Sequence, residues 1–160
     1  MSALFNQFSY IWIGLSMALG LLAALRWRQV RWRTALAAAG ALAAALSLGW
    51  LVLRPGDSDI GELQAAESTL SNGRPTFLEF FSNYCVGCIA ARPVVDALVN
   101  DIQDRFNILR VDIHTELGRA LRRRYGFSYS PEFVLFDAAG QEVWRSNKPP
   151  SADQIALAAP

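Results

Sequence analysis

Two long stretches without a charged side chain, residues 2–25 and 34–53, set the first limit on what this chain can become. Between them lies Arg26-Trp27-Arg28-Gln29-Val30-Arg31-Trp32-Arg33, with four arginines in eight residues. A helix rises about 1.5 Å per residue, so about 20 apolar residues cross a hydrocarbon core of about 30 Å. Both stretches are long enough. One continuous helix over 2–53 would bury four arginines at its centre, at roughly 2.5–3.5 kcal/mol each on membrane-insertion scales. Two helices joined by a short polar turn avoid that cost. The pattern predicts a two-helix transmembrane hairpin, with spans at about 5–25 and 34–53 and a loop at 26–33.

Arginines in short loops stay on the cytoplasmic side. The expectation is a cytoplasmic or inner membrane protein with both termini, and everything after Leu53, on the extracytoplasmic side. Residues 1–10 contain no basic side chain, which suits an exported N-terminus better than the basic start of a signal peptide. Trp27 and Trp32 are expected at the inner interface and Trp50 near the outer one, although aromatics also fall anywhere in apolar sequence. A second reading takes Arg31-Trp32-Arg33 and the Ala-rich run 34–48 as a signal peptide of a shorter product. It keeps the export side and removes only the anchor.

The formal net charge of +1 hides two regions of opposite sign. Residues 1–53 hold four arginines and no acid, whereas residues 54–160 hold 11 basic and 14 acidic side chains. A short basic cluster flanked by membrane-like sequence does not suit nucleic acid. Pro55 and the acids that follow predict a linker over 54–61, with a second domain over 62–160. Residues 60–71 read as a short amphipathic helix with Leu63, Ala65, Ala66 and Leu70 near one face, stopped by Asn72-Gly73. The aromatic run 76–81 predicts a buried strand. A helix to about residue 103 follows, with Ile89, Val94, Val95, Leu98, Val99 and Ile102 inward and Pro93 as a kink. A strand at 106–113, a helix at 116–125 closed by Gly126, strands at 133–136 and 142–144 around a turn, and a helix opened by Ser151 complete the order. Strands alternating with helices and ending in a hairpin give an α/β mixed sheet with helices on both faces.

The only two cysteines, Cys85 and Cys88, are spaced C-x-x-C where the buried strand ends and the helix begins. A structural zinc site takes four ligands, and this chain offers two cysteines and one histidine, His114. Copper held by Cys85, Cys88 and His114 is a second reading, since soft sulfur suits Cu(I); otherwise His114 is expected to face solvent at a strand end. A static disulfide closing so short a loop would constrain the unfolded chain little, which favours a reactive pair. At a helix N-terminus Cys85 lies near unpaired N–H groups and the positive dipole end, both of which favour the nucleophilic thiolate. Lowering a thiol from about 8.5 to about 7 takes about 2 kcal/mol. A helix end supplies about 0.3–1 kcal/mol, so amide hydrogen bonds from Gly87 and Cys88 have to add to it. One helical turn separates the sulfurs, so Cys85 can attack a disulfide while Cys88 waits to resolve the mixed disulfide.

From Pro75 to about Leu157 the chain resembles the thioredoxin family. Residues 77–88 resemble its strand and active-site turn, Pro93 its kinking proline, and residues 130–136 its cis-proline segment and following strand. The resemblance implies a thioredoxin-like fold and a thiol–disulfide oxidoreductase that needs no cofactor or metal. Cys85 would be the attacking thiol and Cys88 the resolving one. Pro131 would be cis beside the pair, with the Ser130 backbone and Tyr84 facing a bound substrate strand. Glu79 matches the family's buried carboxylate, normally Asp, and shares a strand face with Phe77 and Phe81. Burial would raise its pKa and let it take the Cys88 proton. The Val86-Gly87 dipeptide and Tyr84 depart from the family's usual Gly-Pro and Trp, and Arg110 stands where a lysine is usual. The narrower match is to the outer domains of transmembrane disulfide reductases and to anchored proteins of cytochrome c maturation.

The implied partners are exported proteins with disulfides and a separate transmembrane redox donor, because neither span carries a cysteine. A redox-inactive or copper-holding assembly module is the alternative function. Arg119, Arg122, Arg123 and Arg124 read as a solvated helix face, or as a docking patch for acidic partners or lipid headgroups.

Overall fold

The computed structural model describes residues 2–58 and 61–159. Helix α1 (Ser2–Gln7) and helix α2 (Ser9–Trp27) are followed by α3 (Trp32–Leu53). Then come α4 (Leu63–Leu70), β1 (Thr76–Phe81), α5 (Val86–Ile102), β2 (Asn107–Asp112), α6 (Glu116–Tyr125), β3 (Glu132–Phe136), β4 (Glu142–Ser146) and α7 (Ala152–Ala158). Asp59 and Ile60, within the expected linker and helix start, lie outside the described residues, as does Pro160.

The two apolar stretches form helices long and apolar enough to cross a membrane. No side chain of α2 or α3 is buried. Their boundaries differ from the expected ones. The turn tightens to four residues because Gln29 adopts a left-handed conformation (φ 49°) and the Val30 N–H reaches back to the Leu25 carbonyl. Arg26 therefore lies in α2 and Arg33 in α3. The first stretch is also broken at Phe8 (φ −117°, ψ 24°), which separates α1 from α2.

The sheet runs β2-β1-β3-β4, with β1 parallel to β2 and antiparallel to β3, and β4 antiparallel to β3. All six residues of β1 are buried, as expected for a central strand covered on both faces. Leu78 and Phe80 pack with Ala66 and Leu70 of α4 and Leu117 and Leu121 of α6. On the opposite face Phe77 packs with Val95 and Ile102 of α5 and Ile155 of α7. The period-two alternation of β1 thus feeds two separate cores.

Two side chains expected inside are not. Leu63 and Val94 are exposed, Val94 by 58%. The buried stripe of α4 is only Ala66 and Leu70, and Val94 lies beyond the edge of the α5 stripe that covers the sheet. The capping box at Ser151 and Gln154 forms in full. In the hairpin, Asp137 Oδ1 accepts from the Ala139 and Gln141 amides, and Gly140 supplies the left-handed φ of 74°.

Helix α6 approaches the end of β2 so closely that a Cβ on Gly118 would collide with the Asp112 carbonyl and the Ile113 backbone. Gly118→Ala is expected to destabilise the α/β domain by about 1–3 kcal/mol, read as a lower denaturation midpoint of the detergent-solubilised chain.

Candidate active site

The site grows from the carboxyl end of β1. Phe81 closes the strand, the Cys85 N–H donates to the Ser82 carbonyl (3.1 Å), and Cys85 becomes the N-cap of α5. Its sulfur accepts from the Cys88 N–H at 3.3 Å, in place of the usual capping oxygen. The Cys88 sulfur in turn accepts from the Ser82 N–H at 3.5 Å. Both thiols are free and buried, at 0% and 1% exposure, in a small cluster with Phe81.

The Ser130–Pro131 peptide is cis. It faces the pair from across the sheet: the Cys85 thiol donates to the Ser130 carbonyl at 3.4 Å. A Cβ on Gly87 would stand 3.4 Å from Pro131 Cδ, so the small residue at 87 lets the α5 start sit against this proline.

The two sulfurs are electrostatically unlike. Hydrogen bonding from the Cys88 thiol, then from Ser130 and from the Cys88 and Gly87 amides, lowers the Cys85 pKa from an ordinary 9.0 to about 6, against the opposing effect of burial. The amides contribute, but the Cys88 thiol contributes more. Burial, reinforced by Cys85 beside it, pushes the Cys88 thiol far above the ordinary range.

Glu79 is buried at 1% exposure on the β1 face shared with Phe77 and Phe81. Arg110 stands opposite it on β2 and donates from Nε to Glu79 Oε2 at 2.6 Å. The same guanidinium bridges to Asp96 of α5 at 2.7 Å. Burial alone would lower the Arg110 pKa, but Glu79 and Asp96 together raise it. A charged ladder therefore links β1, β2 and α5 on the side of the sheet where the cysteines lie.

Tyr84 and His114 are not turned to solvent. Tyr84 stacks on Trp50 of α3 (centroids 5.7 Å, planes 7° apart) and on Phe8 (5.9 Å). His114 is half-buried with its ring 4.8 Å from Phe8, and its Nε2 is 3.1 Å from Ser82 Oγ. The expectation of an exposed His114 is thus corrected: the start of the chain folds over it. Burial, then the charges of Arg122 and Arg119, lower its pKa despite Asp112. Among the described residues no three His, Cys, Asp or Glu side chains gather as metal ligands. On α6, Arg119, Arg123 and Arg124 are exposed; Arg124 pairs with Glu67 at 2.7 Å and Arg122 lies over the Phe127 ring.

Several residues at the site carried no cysteine-like signal. Asn83 donates to Asp112 (2.9 Å) and to the Gly56 carbonyl (2.7 Å), and its own carbonyl accepts from Trp50 Nε1 (2.9 Å). The expected linker is therefore docked on the active-site turn around residue 56. From the other side, Asn6, Gln7, Ser9 and Tyr10 all bond to the turn or to Ser130. The available sequence clue was polar: Asn6-Gln7 and Ser9-Tyr10 interrupt the start of an otherwise apolar run.

A family model described as Thioredoxin matches residues 62–158. The chain is 35% identical over 111 residues to the thiol:disulfide interchange protein TxlA homolog of Synechocystis sp., covering 66% of this chain and 61% of that protein. It is 29% identical over 76 residues to the chloroplastic thioredoxin-like protein HCF164 of Oryza sativa, covering 48% of this chain and 29% of that one. The chain thus spans less than two thirds of the length of both relatives. Among solved structures, the thioredoxin of Malassezia sympodialis superposes with a TM-score of 0.52 at 20% identity, over 61% of this chain and 84% of that one, a likeness of fold.

The pair makes a spectroscopic prediction. Thiolate absorbance near 240 nm in the reduced chain is expected to titrate with a midpoint near pH 6, to vanish in Cys85→Ser, and to move up in Cys88→Ala. Because the folded thiol titrates below the unfolded one, its contribution to stability is full above pH 9.0 and lost as pH falls toward about 6. Denaturation midpoints of the reduced chain across that window check the sign.

Proposed function

The chain belongs to the thioredoxin family, and on that premise we propose that it is a membrane-anchored thiol–disulfide oxidoreductase that reduces disulfides of exported proteins. The observation that carries this reading is the asymmetry of the pair. Cys85 is held toward its thiolate, while Cys88 is held protonated one turn along the helix. Two relatives bear names that say thiol:disulfide interchange protein, which supports the same chemistry.

In the proposed reaction the Cys85 thiolate attacks one sulfur of a substrate disulfide. A mixed disulfide forms, and the other substrate sulfur leaves as a thiolate that takes a proton. Cys88 loses its proton and attacks the Cys85 sulfur, which releases the second substrate thiol and leaves a Cys85–Cys88 disulfide. Two electrons have passed to the substrate. A separate transmembrane redox donor restores the dithiol. We assign Glu79, with Arg110 at its side, to receive the Cys88 proton. Ser130, Pro131 and Tyr84 are assigned to contact the substrate strand.

The proposed organisation is an anchor over 1–53, a linker over 54–61 and the redox domain over 62–160. Helices whose side chains are apolar and unburied on every side suit lipid. The arginine-rich turn suits the cytoplasmic side, which puts both termini and the redox domain on the extracytoplasmic face. Cysteine-bearing exported apoproteins, such as those of cytochrome c maturation, are the first substrates to test.

In detergent or nanodiscs, Cys85→Ser is expected to reduce turnover of a protein disulfide to the buffer background. Cys88→Ser is expected to accumulate a mixed disulfide, and Glu79→Gln to slow its resolution while leaving its formation unchanged. Turnover that survives in Cys85→Ser would sink the reading and favour a binding module. The direction of electron flow is read separately, from titration in a thiol–disulfide buffer: a potential near about −270 mV marks a reductase, and one near about −120 mV an oxidant.

A further inference from the structure

The Cys85 sulfur, the Cys88 sulfur and the Ser130 side chain are all sealed from solvent, Cys85 and Ser130 completely. A sulfur with no exposed surface cannot meet a disulfide carried by another protein. Residues 6–10, from near the start of the chain, bond to the residues on either side of it and to Ser130.

This contact is built around the helix break at Phe8. In an unbroken helix the Tyr10 N–H would donate to the Asn6 carbonyl, and the Gln7 carbonyl would accept from the Ile11 N–H. Here the Tyr10 N–H donates to the Tyr84 carbonyl at 2.9 Å, and the Gln7 carbonyl accepts from Ser82 Oγ at 2.9 Å. Both groups thus bond across to the active-site turn. Ser9 Oγ accepts from the Val86 N–H, at the first residue of α5, at 2.9 Å. Asn6 Oδ1 accepts from Ser130 Oγ at 3.1 Å. Phe8 packs against both Tyr84 and His114, whose own rings are 6.1 Å apart, and Gln7 is itself buried. Four hydrogen bonds and one aromatic side chain from five consecutive residues all end on residues 82–86, His114 or Ser130.

We propose that residues 6–10 form a strap that occupies the substrate groove in cis, with Asn6 and Ser9 as the residues that hold it shut against a competing substrate strand. The proposal rests on the reading of Cys85 as the attacking thiol. A substrate then enters by displacing Asn6 from Ser130, so substrates that bond Ser130 and the Tyr84 carbonyl well are selected over those that do not. The strap is polar because it has to leave: hydrogen bonds exchanged for those of an incoming strand cost little on balance, whereas a purely apolar seal would have to be exposed to water.

The test uses the full chain, reduced, in nanodiscs at pH 8, above the expected Cys85 midpoint of about 6, with the thiolate absorbance of each variant titrated alongside. Second-order rates are measured for Cys85 with iodoacetamide and with a polymer-linked maleimide, and the site of modification is confirmed by mass spectrometry. The parent is expected to react slowly, above all with the bulky reagent. Asn6→Ala with Ser9→Ala is expected to raise the bulky-reagent rate roughly tenfold or more, since a closed population lowers the apparent rate in proportion. Phe8→Ala is expected to do the same by an independent contact. Ser16→Ala, whose hydroxyl donates to the Trp12 carbonyl within its own helix, serves as the unchanged control. Equal rates in the parent, the double variant and Phe8→Ala would overturn the strap, as would a parent that reacts as fast as the denatured chain. Alkylation does not depend on turnover. Loss of the proposed activity with accelerated labelling in the variants would therefore reject the function and keep the strap, and the converse would reject the strap alone.

Discussion

The 3.3 Å hydrogen bond from the Cys88 amide to the Cys85 sulfur ties the chemistry of this chain to its fold. It exists because β1 ends where α5 begins, so that one cysteine caps the helix and the other lies in its first turn. β1 has a partner on each side, parallel β2 and antiparallel β3, and every residue in it is buried. Its carboxyl end is therefore held from two edges and both faces. Moving Cys85 would require moving the strand on which both cores are assembled. The unlike behaviour of the two sulfurs follows from that placement: one faces helix-end donors and the Ser130 segment, the other is turned into the interior.

The Glu79–Arg110–Asp96 ladder puts charge where hydrocarbon would be simpler. A buried ion pair recovers its desolvation cost only when geometry and further hydrogen bonds are good, and breaking one partner is strongly destabilising, by about 3–5 kcal/mol. The register between β1 and β2 sets Glu79 directly opposite Arg110, so the pairing is made by the sheet itself. Asp96 then holds the other end of the guanidinium from α5. The ladder thereby joins the helix that carries the cysteines to the two strands below it.

The apolar hairpin and the α/β domain meet at the active-site turn. Trp50 donates to the Asn83 carbonyl and stacks on Tyr84, Gly56 is held by the Asn83 amide, and Arg92 of α5 donates to the Arg54 carbonyl at 2.7 Å. The C-terminal end of α3 and the segment after it are thus fastened beside the cysteines. Such fastening restricts how the dithiol is oriented relative to the two apolar helices.

Much of this was legible in the residues because local rules suffice for it. Uncharged runs around an arginine turn mark the two helices, a C-x-x-C at the strand-to-helix boundary marks the pair, and Ser151 with Gln154 marks a capping box that forms in full. Glu79 was placed in the interior by the period-two pattern it shares with Phe77 and Phe81, and it is there. Other features were not legible. Val94 satisfies the helical period yet is exposed, because the sheet beneath α5 covers a narrower stripe than the pattern offers. The break at Phe8, the half-buried ring of His114 and the engagement of Tyr84 by Trp50 depend on contacts between residues 30 to more than 100 positions apart along the chain. The order of the elements after the hairpin and the reactive pair follow from hydrophobic period, caps and spacing within a few residues. The bonds from the start of the chain to the active-site turn, and the reach of Arg110 to Glu79, arise when separate surfaces meet, and no local pattern encodes which surfaces will.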